Sequence, residues 1–336
     1  MRRKTRGDKR SLLLVGALAV LILAGLLAVY LWEQHELALE RDSVVDESYV
    51  PSLRPVLQYE GQRYRMRDGI ETYLVIGLDK FSTEKLDPLD YVNDQQSDFL
   101  ILLIADHDRK TLNALHINRD TMAEIQRYGL AGRKLKSFTG QLALAHTFGS
   151  GGRDSARYTT DAVSKLLYGV PMEHYSTLTL DAVPTLTDLV GGVPVYIEDD
   201  FSRVDPALAR GTTVRLQGGQ ALSFIQARGA MNDASNLNRM ARQRVYMQSL
   251  YEQLRLNLNQ DDSFALRLAT ELSGTMVSDL DVTELAELAE TWKEYSFAGI
   301  ETVEGEAVLG DIYIEFYPDQ DALQRQILRL MFEPEQ

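Results

Sequence analysis

The chain contains apolar runs that stop abruptly at polar residues, and these predict buried strands. The first three runs are "TYLVIGLD" (72–79), "SDFLILLIAD" (97–106) and "TLNALHINRD" (111–120). Continuous apolar runs of this length are typical of strands that are covered on both faces of a sheet. "HYSTLTL" (174–180) and "VPVYI" (193–197) are further strand candidates.

Apolar residues recur at helical spacing between and after these runs. The spacing predicts helices over 158–168, 181–190, 219–228 and 236–257, and two late amphipathic helices in "TELAELAETW" and "DALQRQILRLMF" around a strand at 311–317. No internal repeat or low-complexity tract interrupts the pattern. The sequence therefore predicts one α/β domain from about residue 71 to the end.

The segment Leu12–Trp32 contains 21 residues without a charge, which predicts a transmembrane helix. A cleavable signal peptide is the alternative, although its apolar core is usually about 7 to 15 residues long. Basic residues before the segment predict a cytoplasmic N-terminus and an extracellular remainder. We therefore expect a cytoplasmic tail at 1–11, a transmembrane helix at 12–32, an extracellular stalk or lead-in at 33–70, and an extracellular domain at 71–336.

The charge distribution restricts the partners of the chain. Six basic residues and one acidic residue in the first ten give +5, and because the whole chain sums to −14, the remainder carries −19. Such an acidic body argues against nucleic acid as a partner, since polyanion binding needs a basic surface. The chain has no cysteine, which excludes disulfides and thiolate catalysis.

Two aspartates and an arginine lie at the ends of the predicted strands. Asp79 follows the first run and Asp98 begins the second, so adjacent antiparallel strands would bring them together. Paired carboxylates suit Mg²⁺ that is also bound by water and phosphate, but loop-end aspartates that cap turns give the same pattern. Arg119 could bind a phosphate bidentately, or pair with Asp120 to hold the loop.

A second cationic group lies between 228 and 244 in an otherwise acidic chain. Arg239, Arg242 and Gln243 have the i, i+3, i+4 spacing of one helix face, and Arg228 ends the preceding predicted helix. Arg244 falls off that face, and we interpret it as a solvated charge. The group is either a local anion clamp or a set of surface arginines paired with carboxylates.

The motifs together resemble the LytR-CpsA-Psr family of cell-envelope enzymes, from about residue 72 to residue 250. "LVIGLDK" is similar to the family's Gly-x-Asp strand, and "SDFLILLIADHDRKTLNALHINRD" to its Ser-Asp strand followed by one ending in Arg-Asp. "LVGGVPV", "LQGGQALSFIQAR" and "NRMARQ" resemble its glycine turn, its glutamine-containing helix and its Arg-x-x-Arg-Gln signature. The specificity lies in the order and spacing of these motifs.

The resemblance implies an α-β-α domain, with helices on both faces of the sheet, that transfers a glycopolymer from a polyprenyl-pyrophosphate carrier to peptidoglycan. A non-catalytic binding protein and a lipid pyrophosphatase remain alternatives. It also implies an apolar groove for the lipid, which we expect around residues 141–190. The implied catalytic residues are Asp79, Asp98, Arg119 and Asp120, with Mg²⁺ on Asp79 and Asp98. The implied pyrophosphate-binding residues are Lys80, Arg119, Arg228, Arg239, Arg242 and Gln243.

The chain departs from the family pattern at four of these motif positions. Lys80 replaces a frequent arginine, and Asn118 replaces the proline of Pro-Arg-Asp. Gln226 stands where many members have the first of two arginines, and Asn236 where an acidic residue is common. We expect Gln226 to make one phosphate contact neutral.

Overall fold

The computed structural model describes residues 54–80, 93–128, 134–226 and 236–335. The strands are Val56–Tyr59 (β1), Gln62–Met66 (β2), Ile70–Leu78 (β3), Ser97–Asp106 (β4), Thr111–Ile117 (β5), Met122–Ile125 (β6), Phe138–Gln141 (β7), His174–Thr179 (β8), Val193–Tyr196 (β9), Thr213–Leu216 (β10), Met276–Ser278 (β11), Ser296–Thr302 (β12), Gly305–Leu309 (β13), Ile314–Pro318 (β14) and Phe332–Pro334 (β15). The α-helices are Gly152–Leu166 (α1), Ala182–Leu189 (α2), Gly218–Gln226 (α3), Leu237–Gln260 (α4), Phe264–Leu272 (α5), Val282–Trp292 (α6) and Gln320–Met331 (α7). Short 3₁₀ helices occupy Leu142–Thr147 and Ser273–Thr275.

The three apolar runs form the centre of a six-stranded mixed sheet in the order β11-β8-β3-β4-β5-β12. Strands β3, β4 and β5 pair antiparallel, whereas β8 is parallel to β3 and β12 is parallel to β5. Leu78 pairs with Ser97, and Leu100 pairs with Ile117. The end of β3, the start of β4 and the end of β5 therefore meet at one edge of the sheet.

Both faces of this sheet are buried, which explains the continuous apolar runs. Leu74, Ile76 and Leu102 point to one face and belong to a large core with apolar residues of α1 and α7. The alternate residues Val75 and Leu103 point to the other face and pack with α6. The predicted α/β fold with helices on both faces of the sheet is thus confirmed.

The segment 33–70, expected as a stalk or lead-in, includes two strands of this fold. Strand β2 pairs with β1 and with the C-terminal strand β15, in which Phe332 lies opposite Met66. Next to it the buried Arg67 donates to the Asp106 carboxylate at 3.0 Å and to the Leu330 carbonyl at 2.6 Å. These contacts join the first described strands to the last helix and strand.

The six predicted helical segments are all present, with shifted ends. Helix α5 and the strands β1, β2, β6, β7, β10, β11, β12, β13 and β15 have no counterpart in the sequence prediction. The predicted transmembrane segment Leu12–Trp32 and the tail before it lie outside the described residues. Within the described part of the chain, no helix combines the length and apolar character needed to cross a membrane.

Candidate functional site

The two predicted aspartates lie at the same edge of the sheet. Asp79 directly follows β3, and Asp98 is the second residue of β4, which is antiparallel to β3. Both aspartates line the same two cavities. Antiparallel pairing is thus the physical reason why residues nineteen positions apart share one site.

Two arginines from different elements converge on Asp98. Arg119, just after β5, donates to the Asp98 carboxylate and to the Gln96 side-chain oxygen at 2.8 Å. Arg239, in the first turn of α4, has its guanidinium 4.0 Å from an Asp98 oxygen. The two arginine side chains are 14% and 13% exposed. Two guanidinium groups therefore surround one carboxylate at the cavity edge, an arrangement that suits an anionic ligand.

A pair of asparagines connects the two segments that carry these arginines. The Asn236 amide donates to the Asn118 side-chain oxygen at 3.0 Å, and the Asp120 backbone N–H donates to the same oxygen at 3.0 Å. Asn118 is buried. These are two of the positions at which the motif resemblance led us to expect a departure from the family pattern, and the two side chains contact each other.

The Arg-x-x-Arg-Gln signature divides between two directions. Arg239 and Gln243 line the larger cavity together with Gln226 at the end of α3. Arg242 is not among the residues that line the two cavities: its guanidinium lies 5.1 Å from the centre of the Phe201 ring, and its Nε donates to the Phe224 carbonyl at 3.4 Å. The aromatic ring holds Arg242 away from the cavity. Its expected contact with the pyrophosphate stays a prediction.

Arg228 and Asp120 are the two remaining predicted site residues. Arg228 lies outside the described residues, and its place in the clamp stays a prediction. Asp120 is described, but it is not among the residues that line the two cavities. Its carboxylate accepts from the Gln141 amide at 3.2 Å, and its carbonyl accepts from the Phe316 N–H at 2.9 Å. These bonds anchor the loop after β5 to strands β7 and β14.

The larger cavity is apolar and has a volume of about 650 Å³. It lies between one face of the sheet and helices α2, α4 and α6, with Ile101, Ala114, Leu186, Leu250 and Trp292 in its wall. Of the segment 141–190, in which we expected the groove, only residues within 178–186 contribute. Apolar walls of this extent suit a hydrocarbon chain.

The smaller cavity is polar and has a volume of about 310 Å³. Its lining consists of Asp79, Lys80, Asp94, Gln95, Gln96, Asp98 and Arg119. Because Asp79 and Asp98 also line the larger cavity, the polar site lies at the border of the apolar cavity. An amphiphilic ligand with an anionic head matches this combination.

Two buried histidines support this edge of the sheet, and sequence reasoning did not identify either as part of the site. His116 lies under the arginines, with its ring 4.9 Å from the Phe99 ring. Burial, Arg244 and Arg239 lower the pKa of His116 to about 3, so it is neutral at pH 7. His146 contacts the Gln95 carbonyl at 3.2 Å, and burial lowers its pKa to about 4.

The polar cavity contains few side chains that could bind a metal ion. Among the described residues, no group of three or more histidine, cysteine, aspartate or glutamate side chains is arranged to hold a metal ion. Asp79 and Asp98 supply carboxylate oxygens beside Gln96 in the polar cavity. Mg²⁺ is commonly held by one or two carboxylates together with water and substrate phosphates, so these residues fit an ion that arrives with a phosphate ligand.

Comparison with known proteins gives a consistent family match. A family model described as the LytR_cpsA_psr family matches residues 40–329. The chain is 28% identical over 177 residues to the polyisoprenyl-teichoic acid--peptidoglycan teichoic acid transferase TagU of Bacillus cereus, covering 53% of this chain and 50% of TagU. It is 24% identical to the corresponding transferase TagV of Bacillus subtilis, over 95% of this chain and 77% of TagV. The chain thus spans about half the length of that TagU protein.

Solved structures share the fold. The crystal structure of Bacillus subtilis TagV matches with a TM-score of 0.59 at 21% identity, over 79% of this chain and 98% of TagV. TagT bound to LI-WTA matches with a TM-score of 0.58 at 18% identity, over 78% of this chain and 90% of TagT. The mixed sheet with flanking helices is therefore the architecture of these proteins as well.

Proposed function

Because the chain belongs to the LytR-CpsA-Psr family, we propose that it transfers a glycopolymer from a polyprenyl-pyrophosphate carrier to peptidoglycan as a phosphodiester. The observation that carries this proposal is the border between the apolar cavity and the polar cavity, at Asp79 and Asp98. A lipid with a pyrophosphate head has matching apolar and anionic parts. The names of TagU and TagV, which act between polyisoprenyl-linked teichoic acid and peptidoglycan, support the same substrate class.

The lipid chain would lie in the 650 Å³ cavity, whose wall is made of aliphatic and aromatic side chains. Each methylene removed from water contributes about 0.8 kcal/mol, so a few buried isoprene units hold the carrier firmly. The pyrophosphate would then lie at the cavity edge, where Arg119 and Arg239 approach Asp98.

The transfer step follows from this placement. The oxygen of a peptidoglycan hydroxyl attacks the phosphorus attached to the glycopolymer, and the bond from that phosphorus to the bridging oxygen breaks. The lipid monophosphate leaves with the bridging oxygen, and the hydroxyl proton passes to a base. Arg119 and Arg239 stabilise charge on the phosphoryl oxygens, which is the main contribution of a protein to such reactions.

Asp79 is the side chain that best fits the base. It is exposed at the border of both cavities, whereas Asp98 accepts from Arg119 and Asp120 accepts from Gln141. When bound, Mg²⁺ would neutralise pyrophosphate charge, with Asp79 and Asp98 as its protein ligands. We further propose that the segment 12–32 anchors the chain in the cell membrane, with the catalytic domain outside, because the lipid carrier is confined to that surface.

The test is transfer of a labelled glycopolymer from its lipid pyrophosphate to peptidoglycan by the full-length chain in detergent, with products identified by mass spectrometry. We expect Asp98→Asn to lower turnover at least a hundredfold. Asp108→Asn, an exposed aspartate in the turn after β4, serves as the matched control and should match the parent. Equal turnover by Asp98→Asn and the parent contradicts the assigned site.

The same assay separates the alternatives. Release of free glycopolymer phosphate without an acceptor product identifies a pyrophosphatase, and lipid binding without any product identifies a binding protein. Ala114→Leu narrows the apolar cavity, because Ala114 lines its wall. This variant should bind the lipid at least tenfold more weakly while it remains folded.

A further inference from the structure

A groove of about 460 Å³ runs along the outside of α4, next to strand β9. We call it the β9–α4 groove, and its main lining residues are Pro194, Tyr196, Arg244, Gln248, Glu252 and Ile300. Ser249 fixes the helix to the strand by donating to the Pro194 carbonyl at 2.6 Å. The groove shares the wall residue Ile300 with the apolar cavity, and its arginine follows Gln243 of the proposed phosphate site in the sequence.

Arg244 is the unusual residue of this groove. It is partly buried, and no hydrogen bond or ion pair joins it to another described residue. Burial lowers the pKa of Arg244, and no carboxylate among the described residues opposes that effect. Partly buried charges are normally paired, and this chain has an excess of carboxylates. Arg244 is thus a guanidinium group placed to bind an anion, which corrects its interpretation as a solvated charge.

The polar residues of the groove are ordered along the helix. Arg244, Gln248 and Glu252 follow at intervals of four residues and form a stripe about 12 Å long on one face. The cation lies at the end next to Gln243, and the carboxylate lies at the far end. Tyr196 faces the groove from β9 and is 55% exposed. An exposed aromatic ring beside amide and carboxylate groups suits a carbohydrate, since hydroxyl groups donate to such oxygens.

We propose that the β9–α4 groove binds a carbohydrate chain whose negatively charged group lies against Arg244, with a sugar ring on Tyr196. This rests on the proposed function, in which two anionic glycans meet at the neighbouring site. The carbohydrate in the groove is either the donor glycopolymer, with its phosphates, or the acceptor peptidoglycan strand, with its carboxylates. Both have the chemistry that the groove recognises.

The experiment measures binding of two soluble probes to the full-length chain in detergent micelles. One probe is a poly(glycerol phosphate) oligomer that carries sugar substituents, and the other is a peptidoglycan glycan fragment that carries carboxylates. Arg244→Gln and Tyr196→Ala should both weaken the binding of the same one of these two probes at least tenfold. Arg153→Gln on α1 and Tyr313→Ala, which are exposed residues outside the groove, are the matched controls and should bind like the parent.

The result identifies which carbohydrate the groove binds, because only the probe that occupies the groove should bind more weakly to the Arg244→Gln and Tyr196→Ala variants than to the parent. Binding of neither probe by the parent, or unchanged affinity in both groove variants, overturns the proposal. Tyr196 is exposed, so its variant gives a result even if Arg244→Gln does not fold. A polyprenyl pyrophosphate without a glycan should bind equally to the parent and to Arg244→Gln. Absence of transfer by the parent, with glycan binding intact, contradicts the proposed function and leaves the groove assignment standing.

Discussion

The contact between Asn118 and Asn236 gives the sharpest test of how the site is positioned. Asn118 directly precedes Arg119, and Asn236 lies three residues before Arg239. Their hydrogen bond, 3.0 Å long, joins a side chain of the loop after β5 to a side chain at the start of α4. Asn236 occupies the N-cap position of α4, but its side chain makes no capping hydrogen bond. Its replacement therefore tests the contact with Asn118 and leaves helix capping unchanged.

The expected loss of stability in each variant depends on which hydrogen-bond partners remain for the other groups. Asn236→Ala removes one neutral hydrogen bond, but the Asn118 oxygen still accepts from the Asp120 N–H. The free energy of unfolding should fall by about 1 kcal/mol, which lowers Tm by roughly 2–4 °C for a domain of this size. Asn118→Ala removes the acceptor of two donors and should cost about 1–3 kcal/mol.

Asn236→Asp is more informative, because it restores the acidic residue that is common in the family. A carboxylate at this position faces the Asn118 oxygen, and two acceptors repel each other. We expect this variant to be less stable than Asn236→Ala unless Asn118 is changed as well.

The assay is a double-mutant cycle by urea unfolding, with Asn236→Ala, Asn118→Ala and the double variant. A coupling energy of about 1 kcal/mol is expected for a direct hydrogen bond. Asn113→Ala, on strand β5 just before the loop that contains Asn118, is the control and should show no coupling with Asn236→Ala. Additivity of the Asn118 and Asn236 variants within about 0.3 kcal/mol refutes the assigned contact.

Two further predictions concern stability. The pKa of His116 is lowered to about 3 and that of His146 to about 4, so the unfolded chain binds protons that the folded chain excludes. Their contribution to the free energy of unfolding is complete above about pH 6.5 and is lost as the pH falls. At pH 5 the loss is about 2 kcal/mol for each histidine. Urea unfolding at pH 7.5 and 5 should show this loss in the parent and not in a His116→Gln, His146→Gln double variant; equal losses in both proteins contradict the assignment. Arg67→Met removes the guanidinium closest to the buried Asp106 carboxylate, 3.0 Å away. Thermal unfolding should show a loss of about 3–5 kcal/mol in the free energy of unfolding. A loss below about 1 kcal/mol contradicts a stabilising role of the ion pair.

The central strands could be predicted because each contains enough apolar residues to be buried on both faces. The proximity of Asp79 and Asp98 also followed, since antiparallel neighbours bring the end of one strand to the start of the next. Strands β1 and β2 could not be predicted in this way. Most of their residues are polar, exposed or half-buried, and the second partner of β2, strand β15, lies more than 260 residues away in the sequence.

The helical spacing of the Arg-x-x-Arg-Gln motif predicts the direction of two of its three side chains. Arg239 and Gln243 are four residues apart and share a direction, as helix geometry requires. The direction of Arg242 depends on Phe201, a residue in a distant loop, and spacing carries no information about it. His116 was overlooked for the same reason, because the arginines above it belong to another element.

The arrangement around Asp98 has a consequence for how the anionic head is bound. Asp98 holds the Arg119 guanidinium at the cavity edge and lies 4.0 Å from that of Arg239, so both are oriented before a ligand arrives. Such preorganisation is favourable for a charged transition state. However, a phosphate must share Arg119 with Asp98, which reduces the net gain from each ionic contact. For the proposed lipid carrier, much of the affinity would therefore come from the apolar cavity, while the arginines would contribute mainly to position and to the reaction.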